Sequence, residues 1–539
     1  MQFFKRQAML VILLGFGTLN AILYSSLLPL WEGFDEPFHY CYVQDLSVQR
    51  RWPVLGKTLC SQEVGRSLEL VPVSHIVRQN MPWLTTFQDY FRLSPEQRRM
   101  QRQQLYSLPE YLKYDTTRGL ANYEAQQAPL AYLLLAVPDH LWRAQPIPER
   151  VKMLRILAAV FAVVATALLT FWLARMMGLA EPFPELVVFL ALSTQMFYGA
   201  TAHITNDWLA IPLAILLFVT AGFLYNRADT VSASLFALTL GAGLMTKAYF
   251  LTLVPLAFGL VTWLAVKKRL PLQSVAVFSG VVFVVVGPWY WRNQMLYQSL
   301  SATQQSASGL GLPQALWALP RVRWIAAIAT LMRTSLWTGN NSDTAFSLKT
   351  IALMWTLLLV VVGLCIAGSF KQRPRFLEKF IVTGSAFHIA GIFYAVALLY
   401  VFTKGTSRAT GQWYTQPIFA PLLCVAFCGA CRFAPRLTRV VAALMVWVWA
   451  YVISATYLLK LIPMYGGWGQ GPVRLRTLIG WYDSESTHMA EILGNVSLAS
   501  AHCIVCLSVA VSATAFTIAA LVCVHLRKDW HNERHRKVA

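Results

Sequence analysis

Charge is what this sequence has least of: Asp, Glu, Lys and Arg make up 13% of its 539 residues, about half the share of an average soluble protein. So few charges cannot cover a soluble core of this size, and with 57% hydrophobic residues most of the chain has to be solvated by lipid. Acids are scarcer than bases, 24 against 45, which leaves a formal charge of +21. A nucleic-acid footprint is one reading of that excess, but bases set between long apolar runs are the mark of cytoplasmic loops. Internal repeats and low-complexity tracts are missing, and the two halves look unlike each other, whereas many twelve-helix transporters are built from related halves. Cysteine is sparse in the polar segments. Seven of the nine lie in or beside apolar runs, where a thiol packs as a small hydrophobe, and Cys503 and Cys506 have no second pair or His at zinc spacing. Cys41 and Cys60 share the one long hydrophilic segment, where a disulfide is open; spacing alone does not say whether their Cα atoms approach.

The apolar runs predict an all-α integral membrane protein of about twelve transmembrane helices. Residues 1–30 form the first, entered from the basic side at Lys5 and Arg6. Residues 153–290 hold helices two to seven, including a short hairpin at 231–266 with Lys247 near its tip. Residues 346–526 hold helices eight to twelve, and 527–539 form a basic cytoplasmic tail. The segments this parity places inside carry 19 bases against 6 acids, so both termini are expected in the cytoplasm. Outside fall a large loop, 31–152, with 13 of the 24 acids, and two smaller ones, 291–345 and 463–500. In the large loop, 90–112 reads as a polar helix and 128–142 as an interfacial one broken by Pro138; 322–337 reads as another interfacial helix.

Three sets of residues on the outer side could carry chemistry. The first is Trp31-Glu32-Gly33-Phe34-Asp35-Glu36-Pro37-Phe38-His39-Tyr40. Three carboxylates in five residues at a membrane boundary are costly unless solvated or used, and a carboxylate held there by apolar neighbours could accept a proton from a hydroxyl. A plain solvated loop start is the alternative. The second is a set of cations, Lys247, Arg292, Lys404 and Arg408. Any one of them could simply snorkel to headgroups, but Lys247 interrupts so short an apolar stretch that its charge needs an anion, and a lipid-borne phosphate would suit it and an Arg fork. The third is the return of the large loop, Tyr123 to Tyr132, with the turn His203-Ile204-Thr205-Asn206-Asp207, which also reads as an ordinary capped turn.

These pieces resemble the GT-C glycosyltransferases that use polyprenyl-phosphate sugars, of the protein O-mannosyltransferase and aminoarabinose transferase kind. The resemblance lies in Asp35-Glu36, Ala128-Pro129-Leu130-Ala131-Tyr132, Asp207, Met245-Thr246-Lys247 and Pro288-Trp289-Tyr290-Trp291-Arg292-Asn293, in family order over some 290 residues. The sequence departs from the pattern at Gln127 and Ala128, and Gly411-Gln412-Trp413-Tyr414 stands where related proteins show Gly-Arg-Tyr. The resemblance implies inverting transfer of a sugar from a polyprenyl phosphate to an acceptor hydroxyl on a glycan, lipid or protein. Asp35 would be the base, and Glu36 would orient it or touch the acceptor. Lys247, Arg292 and Arg408 would neutralise the leaving phosphate, with His39, Asp207, Tyr123, Gln412 and Tyr414 lining the substrate. The resemblance implies no certain cofactor; Asp35, Glu36, His39 and Asp207 could offer ligands to a divalent metal, without a diagnostic spacing. The expected setting is the bacterial inner membrane with the site on its outer face. The rival reading is a transporter or flippase for an anionic lipid or sugar phosphate; a ligase or polymerase acting on lipid-linked sugars is a third, but its large loop is expected late in the chain.

Overall fold

The computed structural model describes residues 2–336, 338–342, 344–405, 411–468 and 475–538. The apolar runs read from the sequence fold as helices, because in lipid a backbone N–H has no partner but the helix itself. Among the described residues ten helices are long and apolar enough to cross a membrane: Ala8–Leu27, Ile147–Met176, Asp207–Arg227, Ala248–Val266, Leu272–Tyr297, Leu348–Lys371, Phe376–Phe402, Gln412–Phe433, Pro435–Trp468 and Ala501–Arg527. An eleventh segment is broken, with Phe183–Leu192 and Gln195–Thr201 bent by 57°. The first arm of the hairpin, Thr230–Leu244, has 15 residues and rises only about 22 Å, short of a hydrocarbon core of about 30 Å. The twelve runs are therefore twelve helical segments, of which ten are unbroken and of spanning length.

Close packing between spans uses small residues, since lipid gives no hydrophobic drive for helices to associate. Leu348–Lys371 meets Gln412–Phe433 at Gly368 and Gly429, where a Cβ on Gly368 would lie 2.1 Å from the Gly429 carbonyl oxygen. Helix Asp207–Arg227 sits inside the bundle, buried along most of its length.

The 31–152 segment folds against one end of this bundle. Its helices include Glu36–Ser47, Pro95–Tyr106 and Leu130–Leu141. Ser94 and Gln97 form a capping box that starts the second of these, with the N-cap at the fifth residue of the expected 90–112 helix. The sequence pattern does not show the two-stranded ribbon of Leu59–Ser61 with Thr116–Ala121, because the first strand has only 3 residues and the second, Thr-Thr-Arg-Gly-Leu-Ala, does not alternate apolar with polar. Cys41 and Cys60 are joined in a disulfide, with Cα atoms 5.3 Å apart. Beside it the fully buried Arg150 is paired with Glu63 and lies 3.6 Å from Asp139. The late loop joins the same layer: Arg98 holds Glu491 at 2.5 Å, tying helix Pro95–Tyr106 to Ser486–Val496.

Candidate active site

The chain leaves the first span through a turn that two non-glycine residues make in the left-handed region, Trp31 at φ 66° and Asp35 at φ 54°. Each costs of the order of 1–3 kcal/mol and persists only where the surroundings over-determine it. Here they do. Arg155 gives Nε to Glu36 Oε1 at 2.7 Å and Nη2 to Glu36 Oε2, while its Nη groups reach the carbonyls of Leu28 (2.6 Å) and Pro29 (2.9 Å) that close the first helix. Glu36 Oε1 also accepts from the Ile204 amide at 2.9 Å. Gly33 lies flat on His203, and a Cβ at that position would sit 2.6 Å from its side chain. From the other side Asn341 donates to the carbonyls of Glu32 (3.2 Å) and Gly33 (3.0 Å).

This clamp separates the acidic pair. Glu36 is wholly buried on Arg155, so of the two roles expected for it, contact with an acceptor is corrected: it points inward and holds the turn. Asp35 is left at the exposed edge, where its Oδ1 accepts from the Tyr123 hydroxyl. Phe34 and Trp413 rings lie 4.9 Å apart beside it, and Phe38 packs on Tyr123 at 4.2 Å. Crowding by these groups raises the Asp35 pKa above the ordinary carboxylate value, while Tyr123 and the charge of Lys247 oppose the rise. Glu32 is buried under the turn, and burial pushes its carboxyl up to about 8 against hydrogen bonds from Ser342.

Facing Asp35 is the hairpin tip. Lys247 precedes the tight turn Ala248–Leu253, and its Nζ lies 2.5 Å from Asp207 Oδ1 with both side chains largely buried. Tyr249 and Tyr414 rings flank it at 5.6 and 5.8 Å. The anion that this lysine demands is thus supplied by the protein, and its need for a counter-ion is not by itself a reason for phosphate. Three motifs far apart in sequence meet here. Asn206 Nδ2 donates to Gln127 Oε1 (3.1 Å) and to the Thr246 carbonyl (3.2 Å), and the Leu130 amide donates to the Met245 carbonyl at 2.8 Å.

The remaining expected residues divide. His39 lies behind the site, buried, with Nδ1 2.7 Å from the Tyr132 hydroxyl and 3.9 Å from Glu124; burial lowers its pKa and keeps it neutral. Burial and the Asp35 charge push Glu124 up to about 8. Gln412 is buried, and its backbone N–H donates to Thr334 Oγ1 at 3.1 Å. Arg292 is turned to a neighbouring loop, donating to the Pro53 carbonyl at 2.7 Å over the Trp289 ring, with Nη1 buried and without a hydrogen-bond partner among the described residues. Of the three bases expected on one phosphate, the structure sets only Lys247 beside Asp35; Arg408 lies outside the described residues. Glu36 and Asp207, named as metal ligands, are both engaged by basic side chains.

Sequence reasoning missed Arg155, although a signal was there: it is a charged residue inside an apolar run, and such a charge pairs within the protein.

No protein-family model matches the sequence, and no curated protein matches it. Among solved structures the chain is similar to ArnT from Cupriavidus metallidurans bound to undecaprenyl phosphate, at 13% identity and a TM-score of 0.46 over 96% of this chain and 76% of that one. It is also similar to the archaeal oligosaccharyltransferase AglB from Archaeoglobus fulgidus in complex with an inhibitory peptide and a dolichol-phosphate, at 12% identity and a TM-score of 0.39, over 94% of this chain and 56% of that one. Both are likenesses of chain path at low identity.

Proposed function

We propose that this integral membrane protein is an inverting glycosyltransferase that moves a sugar from a polyprenyl phosphate to an acceptor hydroxyl on the outer face of the membrane. The observation that carries the reading is Asp35. A strained, clamped turn holds this one carboxylate open in an aromatic mouth facing Lys247, while its neighbour Glu36 is buried. In the reaction the acceptor oxygen attacks the anomeric carbon as the bond from that carbon to the phosphate oxygen breaks. The electron pair leaves on the phosphate, and the acceptor proton passes to Asp35. The rise in the Asp35 pKa makes its carboxylate a better proton acceptor than an ordinary one. The positive charge of Lys247, shared with Asp207, counters the growing charge of the leaving phosphate. Arg292 and Arg408 remain candidates for the donor's phosphate, with Tyr123, Gln412 and Tyr414 for the sugar or acceptor. The base-rich loops lie at the opposite ends of the spans, and the Cys41–Cys60 bond suits an oxidising compartment, as in a bacterial inner membrane facing the periplasm.

The test is a deletion strain complemented with wild type or Asp35→Asn, read by mass spectrometry of surface glycan, lipid and glycoprotein. Loss of one sugar in the deletion, restored by wild type and reduced by about 10²-fold or more with Asp35→Asn at equal protein level, is expected. Undiminished transfer by Asp35→Asn removes Asp35 from the mechanism.

A further inference from the structure

The Cys503-Ile504-Val505-Cys506 motif has no part in the site that carries Asp35, yet among the described residues these two are the exposed ones of the seven free cysteines. They stand in the first two turns of helix Ala501–Val538. Its apolar stretch, Ala501–Arg527, has 27 residues and rises about 40 Å, against a hydrocarbon core of about 30 Å. Cys503 is therefore outside the hydrocarbon and Cys506 at its edge, both within reach of a water-borne reagent. His502 lies beside them, its Nε2 3.6 Å from Cys506 Sγ. There it can take the thiol proton and leave the thiolate, the form that attacks a disulfide.

The pair is also connected to the first span. Ser500 caps the helix, its Oγ accepting from the Cys503 N–H at 3.3 Å. Just before it, Ser497 Oγ donates to the Leu27 carbonyl at 3.0 Å and the Leu498 N–H donates to the Ser26 carbonyl at 2.9 Å. Arg155 holds the next two carbonyls, Leu28 and Pro29. The last carbonyls of the first span, from which the Asp35 turn begins, are thus shared between Arg155 and the loop that leads into the two cysteines. Cβ atoms three residues apart on a helix are about 5–6 Å apart, and a disulfide brings them to about 3.5–4.5 Å. Joining Cys503 to Cys506 must therefore tighten the first turn, draw it from the Ser500 cap and pull on the loop. A bond closed under such strain is readily reduced again. Exposure and strain set this pair apart from the buried Cys41–Cys60 bond in the outer layer.

We propose that Cys503 and Cys506 are a site of reversible thiol–disulfide exchange whose closure loosens the loop on the end of the first span. The oxidant is a disulfide of the surrounding compartment. Cys506 gives its proton to His502, and its sulfur attacks one sulfur of that disulfide, whose S–S bond breaks to release a thiol. Cys503 then attacks the Cys506 sulfur of the mixed disulfide, and the second thiol leaves. The two cysteines are oxidised, and the reagent takes up the two electrons and two protons. The test incubates the full-length protein in nanodiscs with mixtures of reduced and oxidised glutathione, alkylates the free thiols and weighs the peptides. As oxidised glutathione rises, the peptide with both cysteines should pass from doubly alkylated to unalkylated and lighter by two hydrogens than the bare peptide, and reduced glutathione should reverse this. Cys506→Ser should instead hold Cys503 as a mixed disulfide with glutathione, and His502→Ala should slow closure by about tenfold. Free thiols at every mixture, or one glutathione on each cysteine, overturn the proposal. In hydrogen exchange, closure should speed the amides of 26–36 and 497–500 by about tenfold or more. Exchange unchanged at both places overturns the coupling to the first span.

Discussion

Replacing Glu36 by Gln tests whether the turn that presents Asp35 is held by the buried pair beneath it. Both partners have no exposed side-chain surface. Arg155 spends its donors on the two Glu36 oxygens and on carbonyls at the end of the first span, and Glu36 also takes the Ile204 amide. The amide variant keeps an acceptor for Ile204 but removes the negative charge and turns a donor toward the guanidinium. Breaking a buried pair from one side costs about 3–5 kcal/mol, because the remaining charge stays buried and uncompensated. Arg155→Gln should cost a similar amount for the same reason. The double variant leaves no buried charge, so its loss should fall short of the sum by about 2 kcal/mol. The assay is reversible unfolding in mixed micelles as the share of dodecyl sulfate rises, followed by the fluorescence of the 19 tryptophans. A Glu36→Gln loss within about 0.5 kcal/mol of zero, or strict additivity of the two single losses, would show that the pair does not hold the turn.

Gly33→Ala should drive a Cβ into His203, costing about 1–3 kcal/mol and lowering transfer; His203→Ala added to it should restore part of the loss, and a Gly33→Ala protein as stable as wild type would contradict the packing. Tyr123→Phe removes a donor that lowers the Asp35 pKa, so the acid limb of transfer should move to higher pH by up to about one unit, and an unmoved limb would separate Tyr123 from the base. Glu124 titrates in the folded protein at about 8 against an ordinary 4.5. The folded state then keeps a proton that the unfolded chain releases, and stability should fall as pH rises from about 4.5 to 8. Glu124→Gln should remove its share of that fall in unfolding midpoints measured from pH 5 to 8.5, leaving the similar fall from Glu32, also pushed up to about 8, opposed by His39, whose lowered pKa makes stability rise toward pH 6.5; an unchanged fall would assign it elsewhere.

What the sequence determined by itself was the solvent and the punctuation. Low charge and long apolar runs require lipid-facing helices, since no other open structure satisfies its backbone there, and all twelve runs are helical. The tip of the 231–266 hairpin could be set at Lys247 because bases bracket both ends and the stretch is too apolar to turn elsewhere. The candidate residues Asp35, Tyr123, Asp207 and Lys247 were legible as polar groups interrupting apolar surroundings, which is a cost that local sequence displays.

Only tertiary structure decided how those groups divide the work. Asp35 and Glu36 are adjacent carboxylates with no local difference, and it is the partner 119 residues away, Arg155, that draws one inward and leaves the other open. Lys247 found its anion in Asp207 across 40 residues, and Arg292 was turned toward Pro53 by the fold of a loop 239 residues earlier. Hydropathy and spacing act along the chain, whereas the pairing of buried charges is settled by which helix ends meet, and that information is spread over the whole bundle.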